Sequence, residues 1–357
     1  MVRKIAILGA GISGVYAAIK IKESHPEYIV DIYEKNEKIL KKVYATGNGK
    51  CNFANIGSLT DKYNHDEFAL KIIDQYPAKS IINDFEKIGI KSKNINDLVY
   101  PYSESALTVV NHLSHIVNQL KINVHLYTVV NDYNKGTLLT NEGSFKYDAL
   151  IIAMGGKSSP NLGSNGGFFD VLTKHGYKIE ETRPSLCPIK VKENTKMVDG
   201  LRAKVTMSLY QNNKLLHIED GELLFKKDGL SGMVTFNMTH YINRLDSLDD
   251  VTLHIDFAKG LDSDYDSLLH PILAEYLRKN KLDIHNTVFT FKDFYGFNNS
   301  QVTSGGVSLD NVNDDLSSKL EENVYFVGES LDIDAVCGGY NIMFALASAV
   351  LVSKSIK

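Results

Sequence analysis

Apolar residues along the first part of the chain fall into short runs separated by amphipathic stretches. Ile5-Ala6-Ile7-Leu8 and Ile29-Val30-Asp31-Ile32-Tyr33 have the length and content of strands buried in a parallel sheet. Between them, the apolar stretch over residues 15–21 opens a helix. Helical spacing recurs over residues 68–88, through Ile72, Ile73, Ile81, Ile82 and Phe85, and over 109–120, through Val110, Leu113, Val117 and Leu120. Residues 124–130 are expected as a strand, and 146–154 as a strand returning to the core.

From Pro188 to about His254 the pattern becomes short alternating runs, at 189–191, 205–210, 215–218, 223–225, 234–237 and 251–255. Strands of this length and spacing predict a small antiparallel barrel or sheet. Residues 261–282 read as helical and 288–291 as a returning strand, and the chain closes with a helix over 340–354. The fold class expected is α/β: a discontinuous Rossmann-like domain, 1–187 with 299–357, into which a mainly antiparallel β, barrel-like domain with short helices, 188–298, is inserted.

The connection between the first two strands carries chemistry. Gly9-Ala10-Gly11-Ile12-Ser13-Gly14 fits G-x-G-x-x-G, and Glu34 ends the second strand twenty residues after Gly14. In such a unit the first glycine permits the tight turn. The second lets a pyrophosphate approach the backbone, and the third lets helix and strand pack closely. The helix N-terminus offers free N–H groups and a partial positive charge to phosphates. Gly9, Gly11, Ile12, Ser13 and Gly14 are therefore expected against a dinucleotide, with Glu34 and the adjacent Lys35 at its ribose. This unit alone does not choose between FAD and NAD.

Eight residues after Glu34 begins a polar, glycine-spaced stretch, Lys42-Val43-Tyr44-Ala45-Thr46-Gly47-Asn48-Gly49-Lys50-Cys51-Asn52-Phe53-Ala54-Asn55. Its composition suits backbone lying against a ligand, with amide side chains satisfying polar ring atoms. The motif T-G-N-G-K-C-N-x-x-N resembles that of the BaiN/RdsA-type family of FAD-dependent oxidoreductases, also labelled aminoacetone-oxidase-like. Lys50 stands where that family usually has Arg. Further segments are similar to the family's in the same order. They are Ala153-Met154-Gly155-Gly156, Gly229-Leu230-Ser231-Gly232, Val302-Thr303-Ser304-Gly305-Gly306, Gly328-Glu329-Ser330 and Gly338-Gly339-Tyr340-Asn341.

The resemblance implies noncovalent FAD, with the inserted domain covering the flavin and supplying the substrate pocket. It implies cofactor contacts at Lys42, Thr46, Gly47, Asn48, Gly49, Lys50, Cys51 and Asn52. Val130 is expected on the adenine side, with Ala153 and Gly155 at the second turn. Gly328, Glu329, Gly338, Gly339, Tyr340 and Asn341 are expected at the flavin end, Glu329 accepting from a ribityl hydroxyl. The helix opened by Gly338-Gly339 would direct its N-terminus at the flavin pyrimidine, where negative charge gathers on reduction.

Catalytic side chains are not fixed by these motifs. Tyr340, Cys51 and Cys337 are the candidates for proton transfer. There is no second G-x-G-x-x-G for a resident nicotinamide, so NAD(P)H is expected only as a transient reductant. An oxidase of a small amine using oxygen, and an FAD-dependent tRNA-modification-like protein, are the alternatives to an NAD(P)H-linked enzyme acting on a small organic molecule by hydride transfer at flavin N5.

Composition narrows the classes. Hydrophobic content of 43% and charged content of 23% are ordinary for a globular protein. A net charge of −4 gives no electrostatic case for nucleic acid or an anionic membrane. No run of 18 apolar residues occurs. The three cysteines, 51, 187 and 337, are widely separated and show no metal-ligand spacing. A reducing cytoplasmic setting without metal is expected, and the oligomeric state is open.

Overall fold

A computed structural model describes residues 2–261 and 265–356. The chain divides into two compact units, Met1–Thr182 with Val302–Lys357, and Arg183–Gln301.

The first unit is built on a five-stranded sheet in the order Val324–Phe326, Ala149–Ile152, Lys4–Leu8, Ile29–Tyr33, Asn123–His125. Every neighbouring pair in it is parallel. The strands are apolar because both faces are covered: Ile5, Ile7, Leu8, Ile32, Leu150, Ile151 and Phe326 are all inaccessible to solvent. The helices Ile12–Ser24 and Tyr340–Ser355 pack against one another in this unit. The closing helix is apolar all round and buried along most of its length, as an internal helix must be.

The second unit contains a closed antiparallel barrel of six strands, Ile189–Val191, Gly229–Ser231, Lys214–Lys226, Arg202–Gln211, Val251–Asp256 and Thr287–Phe294 in order around it. Val205, Met207 and Leu209, Leu253 and Ile255, and Phe289 alternate inward to fill it. A mixed α/β Rossmann-type fold with a barrel is thus present.

Several elements differ from their sequence-based expectation. The helical stretch at 68–88 is two helices, Asp66–Ile73 and Ala78–Lys87. Pro77 has no N–H to continue the first, and its carbonyl accepts from Ser80 and Ile81 to start the second. Residues 124–130 are not one strand. Asn123–His125 ends the parallel sheet, Tyr127 turns with φ 54°, and Val130–Asn134 begins a separate antiparallel sheet with Thr137–Thr140 and Gly143–Lys146.

The runs at 215–218 and 223–225 belong to one strand, Lys214–Lys226, because its polar middle pairs continuously with Arg202–Gln211. Residues 234–237 lie in a helix, Met233–Ile242, whose Val234, Met238 and Ile242 recur at helical spacing and are fully buried. The helical reading of 261–282 divides into Tyr265–Leu268 and Pro271–Lys279, and its residues 262–264 lie outside the described residues. Among the described residues no helix is long and apolar enough to cross a membrane.

Candidate cofactor site

The first strand ends at Leu8, and the turn is tied down at once. The Gly9 N–H donates to the Tyr33 carbonyl at 2.9 Å, and Gly11 is the N-cap of the helix Ile12–Ser24. A Cβ on Gly14 would lie 2.1 Å from the Gly9 carbonyl oxygen, so glycine is obligatory there. At Gly11, where φ is −70°, a Cβ would meet nothing within 4 Å. The space before the uncapped helix N-terminus is open, which is what an anion at this position needs.

Glu34 is buried, at 8% exposure, and is already a structural acceptor. Its Oε2 accepts from the Ala10 N–H at 2.8 Å, and its Oε1 from the Asn36 N–H at 2.8 Å and Asn36 Nδ2 at 2.6 Å. A carboxylate has about four acceptor positions. Capacity therefore remains for about one ribose donor. Thr128 and Tyr127 donate their N–H groups to the carbonyls of Glu34 and Asn36, so the loop beyond Asn123–His125 clamps this corner. Val130 is buried just past that loop. Lys35 donates to Asn165 Oδ1 at 2.7 Å, and burial lowers its ammonium pKa against the opposing pull of Glu34.

The polar stretch folds as an irregular 3₁₀ segment, Val43–Gly49, broken by left-handed Gly47 and Asn48 at φ 55° and 54°. Thr46 Oγ1 donates to the Val43 carbonyl at 2.7 Å. Cys51 is fully buried, and burial pushes its thiol up to about 12 against a hydrogen bond with Thr46 that lowers it. Lys50 is ion-paired at the surface with Glu104 at 2.6 Å, and Asn48 is exposed. Asn52 behaves differently. It is 9% exposed, and its Oδ1 is buried with no hydrogen-bond partner. A Cβ on Gly339 would lie 2.6 Å from that oxygen. Asn55 Nδ2 donates to the Gly338 carbonyl at 2.8 Å, so the stretch lies against the start of the closing helix.

The remaining wall comes from the last strand. Gly328 abuts Ser13, to whose Oγ an added Cβ would approach at 2.9 Å, and donates its N–H to Ser348 Oγ at 3.0 Å. Glu329 Oε2 accepts from Lys42 Nζ at 2.8 Å, and its Oε1 from the Thr303 N–H at 2.8 Å. Thr303 Oγ1 in turn accepts from the N–H groups of Lys157 and Ser158 at 2.8 and 3.0 Å. Gly155 lies beside Ser164 and Glu329, while Ala153 underlies both Gly9 and Gly14.

Tyr340 donates its hydroxyl to the Ser58 carbonyl at 3.1 Å. Burial, then the charge of Asp97, raises its pKa. Asn341 is bracketed to Ala335, accepting its N–H at 3.0 Å and donating to its carbonyl at 2.9 Å. Cys337 is half-buried. No cluster of three or more His, Cys, Asp or Glu suited to a metal occurs among the described residues.

Sequence reading thus singled out Gly9, Gly11, Gly14, Glu34, Lys42, Asn52, Ala153, Gly155, Gly328, Glu329, Gly338 and Gly339, and the fold gathers them at the carboxyl ends of the parallel strands and the adjoining turns. It overlooked Asn36, Asn55, Thr128, Ser158 and Thr303. Thr303 and Asn55 stood inside motifs already visible; Asn36 and Thr128 had no signal. Two features fit a dinucleotide with a polar ring: the open volume at Gly11, and the unpartnered acceptor of Asn52 beside the closing helix.

The sequence matches the family model described as "HI0933-like protein Rossmann domain" over residues 3–355. This chain belongs to the HI0933-like family. The membership makes it an FAD-dependent oxidoreductase of the BaiN/RdsA type. This HI0933-like chain is 27% identical to a 3-dehydro-bile acid delta(4,6)-reductase of Clostridium scindens, across 99% of this chain and 98% of that protein. It is 23% identical to a ribosomal RNA dihydrouridine synthase of Haemophilus influenzae, across 98% of this chain and 97% of that protein.

Among solved structures, a 3-ketosteroid delta1-dehydrogenase from Sterolibacterium denitrificans shares the fold with a TM-score of 0.53 at 8% identity, over 99% of each chain. An Escherichia coli quinol fumarate reductase FrdA variant does so with a TM-score of 0.51 at 11% identity, over 99% of this chain and 70% of that one.

Proposed function

We propose that this HI0933-like protein binds FAD in the unit Met1–Thr182 with Val302–Lys357. We further propose that it uses NADH or NADPH as transient reductant and adds hydrogen across a C=C bond conjugated to a carbonyl in a small organic molecule. The observation that carries the cofactor assignment is the pairing of an open helix N-terminus at Gly11 with the unpartnered Oδ1 of Asn52. Bound FAD supplies the hydride acceptor and donor.

The chain's own groups bind and orient. The N–H groups at Gly11 to Ser13 and the helix dipole favour a pyrophosphate. Glu34 offers its remaining acceptor capacity to a ribose hydroxyl. The Lys42–Glu329 pair, fixed by Thr303, presents a carboxylate to the ribityl chain. Gly338 and Gly339 allow close approach to the closing helix, whose N-terminus favours negative charge by about 0.3–1 kcal/mol, or up to about 2 kcal/mol when partly buried. Asn52 accepts from a ring N–H. The unit Arg183–Gln301 recognises the substrate.

The substrate class is supported by the relatives. A 3-dehydro delta(4,6)-reductase and a dihydrouridine synthase are both named for saturation of ring C=C bonds conjugated to carbonyls. Heat release followed by chromatography is expected to yield FAD. Anaerobic titration of the yellow holoprotein with NADH and NADPH is expected to bleach it, and reoxidation by a conjugated enone is expected to restore the colour. Release of FMN or NAD alone would sink the cofactor assignment. Bleaching by amines and not by nicotinamides would replace the reductase reading with an oxidase. The dihydrouridine synthase relatives favour RNA as a second substrate class. Salt-sensitive retention of ribosomal RNA would support it against the net charge of −4.

A further inference from the structure

The unit Met1–Thr182 with Val302–Lys357 holds a polar network that the cofactor assignment does not use. At its centre is His175, which follows the helix Phe169–Lys174. Its Nε2 lies 2.8 Å from Asp132 Oδ1, and its Nδ1 lies 3.1 Å from Glu321 Oε1. The ring is stacked on that of Tyr133, with centroids 4.0 Å apart. Glu321 Oε2 accepts from the hydroxyls of Tyr133 and Tyr177 at 2.6 and 2.8 Å.

A neutral imidazole has one N–H and one lone pair. It can donate to one of these two carboxylates only, and its lone pair then faces the other. The imidazolium donates to both, so the geometry is that of the protonated ring. On deprotonation the more solvated carboxylate is the one released. The Asp132 side chain is 47% exposed and that of Glu321 29%, so the remaining N–H stays with Glu321 and Asp132 turns to water.

Asp132 belongs to the strand Val130–Asn134, whose pairing with Thr137–Thr140 shifts register between Val130 and Asp132. The ladder is locally disrupted at the position that His175 holds. Just before this strand, the N–H groups of Tyr127 and Thr128 donate to the carbonyls of Asn36 and Glu34. Glu34 is the residue assigned to the ribose under Proposed function.

We propose that His175 is a proton-operated latch on the dinucleotide site: as imidazolium it pins Asp132 and so holds residues 127–132 against Glu34 and Asn36, and as neutral imidazole it releases them. The latch rests on the FAD assignment made under Proposed function. FAD and the proton then favour one another, each tightening the other by the same factor. Burial alone would lower the His175 pKa, but the hydrogen bonds to Asp132 and Glu321 outweigh it and raise the value. Release therefore falls above the ordinary histidine value of about 6.5. Burial pushes the Tyr133, Tyr147 and Tyr177 hydroxyls up, out of that window. Burial alone would raise the Asp132 carboxyl, but hydrogen bonds from His175 and the Tyr133 N–H hold it below its ordinary value, and Lys174 adds a further positive charge facing it.

The test measures FAD affinity, by flavin fluorescence, and the His175 ring pKa, by NMR. The wild-type dissociation constant is expected to rise at least about fivefold between about pH 6 and about pH 9, the low end of coupling between sites. In His175→Gln it is expected to stay level near the high-pH value. Asp132→Asn keeps the side chain's shape without its charge and is expected to lose the same pH dependence. The His175 ring is expected to hold its proton to a higher pH with FAD bound than in the apoprotein, a measurement that needs no variant. Equal ring pKa values with and without FAD, or parallel affinity curves in wild type and His175→Gln, would overturn the latch and leave the cofactor assignment standing. Failure to bind FAD at any pH would remove the cofactor assignment, and the latch with it.

Discussion

Lys42 and Glu329, 287 residues apart in sequence, form an ion pair at 2.8 Å that joins the loop after the second strand to the turn after the last one. Both side chains are about three-quarters buried, at 26% and 22% exposure. The pair fixes one carboxylate oxygen of Glu329, while the Thr303 N–H fixes the other. A Lys42→Met, Glu329→Gln double-mutant cycle on FAD affinity is expected to give a coupling of about 1 kcal/mol. Additive losses would show that Lys42 does not orient Glu329.

Gly11 and Gly14 separate ligand space from packing space. Gly11→Val places its side chain in open volume at an ordinary φ, so the apoprotein is expected to melt normally while FAD affinity falls at least about a hundredfold. Gly14→Ala collides with the Gly9 carbonyl and is expected to lower the melting temperature of the apoprotein itself. Retention of FAD by Gly11→Val would move the pyrophosphate elsewhere.

Glu34→Ala is expected to act twice. It removes the partner of the Ala10 N–H, which costs about 1–3 kcal/mol of apoprotein stability if that group stays buried and unpaired. It also removes a ribose acceptor, weakening FAD by about tenfold. Denaturant melts without ligand and FAD titrations separate the two effects. An unchanged dissociation constant would leave Glu34 with its structural role only.

Asn52→Leu tests the unpartnered oxygen. Loss of a buried acceptor that has no donor is expected to leave the apoprotein as stable or more so, while FAD binding weakens by about tenfold. A drop in apoprotein stability with unchanged FAD affinity would contradict the assignment. Gly339→Val is a less clean probe. Its φ is +89°, and its Cβ would lie 2.6 Å from both the Ala54 carbonyl and Asn52 Oδ1. The variant is therefore expected to be destabilised as well as to show a lowered flavin potential.

His175 makes stability depend on pH. It lies 2.8 Å from Asp132 and 3.1 Å from Glu321, with its ring stacked on Tyr133. Burial alone would lower its pKa, but the hydrogen bonds to Asp132 and Glu321 outweigh it and raise the folded value. The contribution is complete below the unfolded histidine value of about 6.5 and is lost as pH rises through the higher folded value. Denaturant midpoints are expected to fall over that window in wild type and to flatten in His175→Gln. Parallel curves would place the pH dependence on other groups.

What the chain specified locally was already readable along it. The strand, glycine turn, helix and acid over residues 4–34 needed only short-range periodicity and one spacing, because each glycine's role depends on its immediate neighbours. The closing glycine pair and the polar stretch after Glu34 were equally visible, and so was the change to short strands beyond Pro188.

Pairing and burial between distant segments decided the rest. Lys214–Lys226 is one strand because Arg202–Gln211 pairs along it, although its own middle is polar. Residues 234–237 are helical because burial at Val234, Met238 and Ile242 outweighs a local β-like run. Glu34 proved to be mostly engaged by Ala10 and Asn36, and Lys50 by Glu104, whereas Asn52 was left with an empty acceptor. No local pattern encodes such partnerships. A side chain's residue type sets what it can bond, and only the packed chain determines which of those bonds are already made.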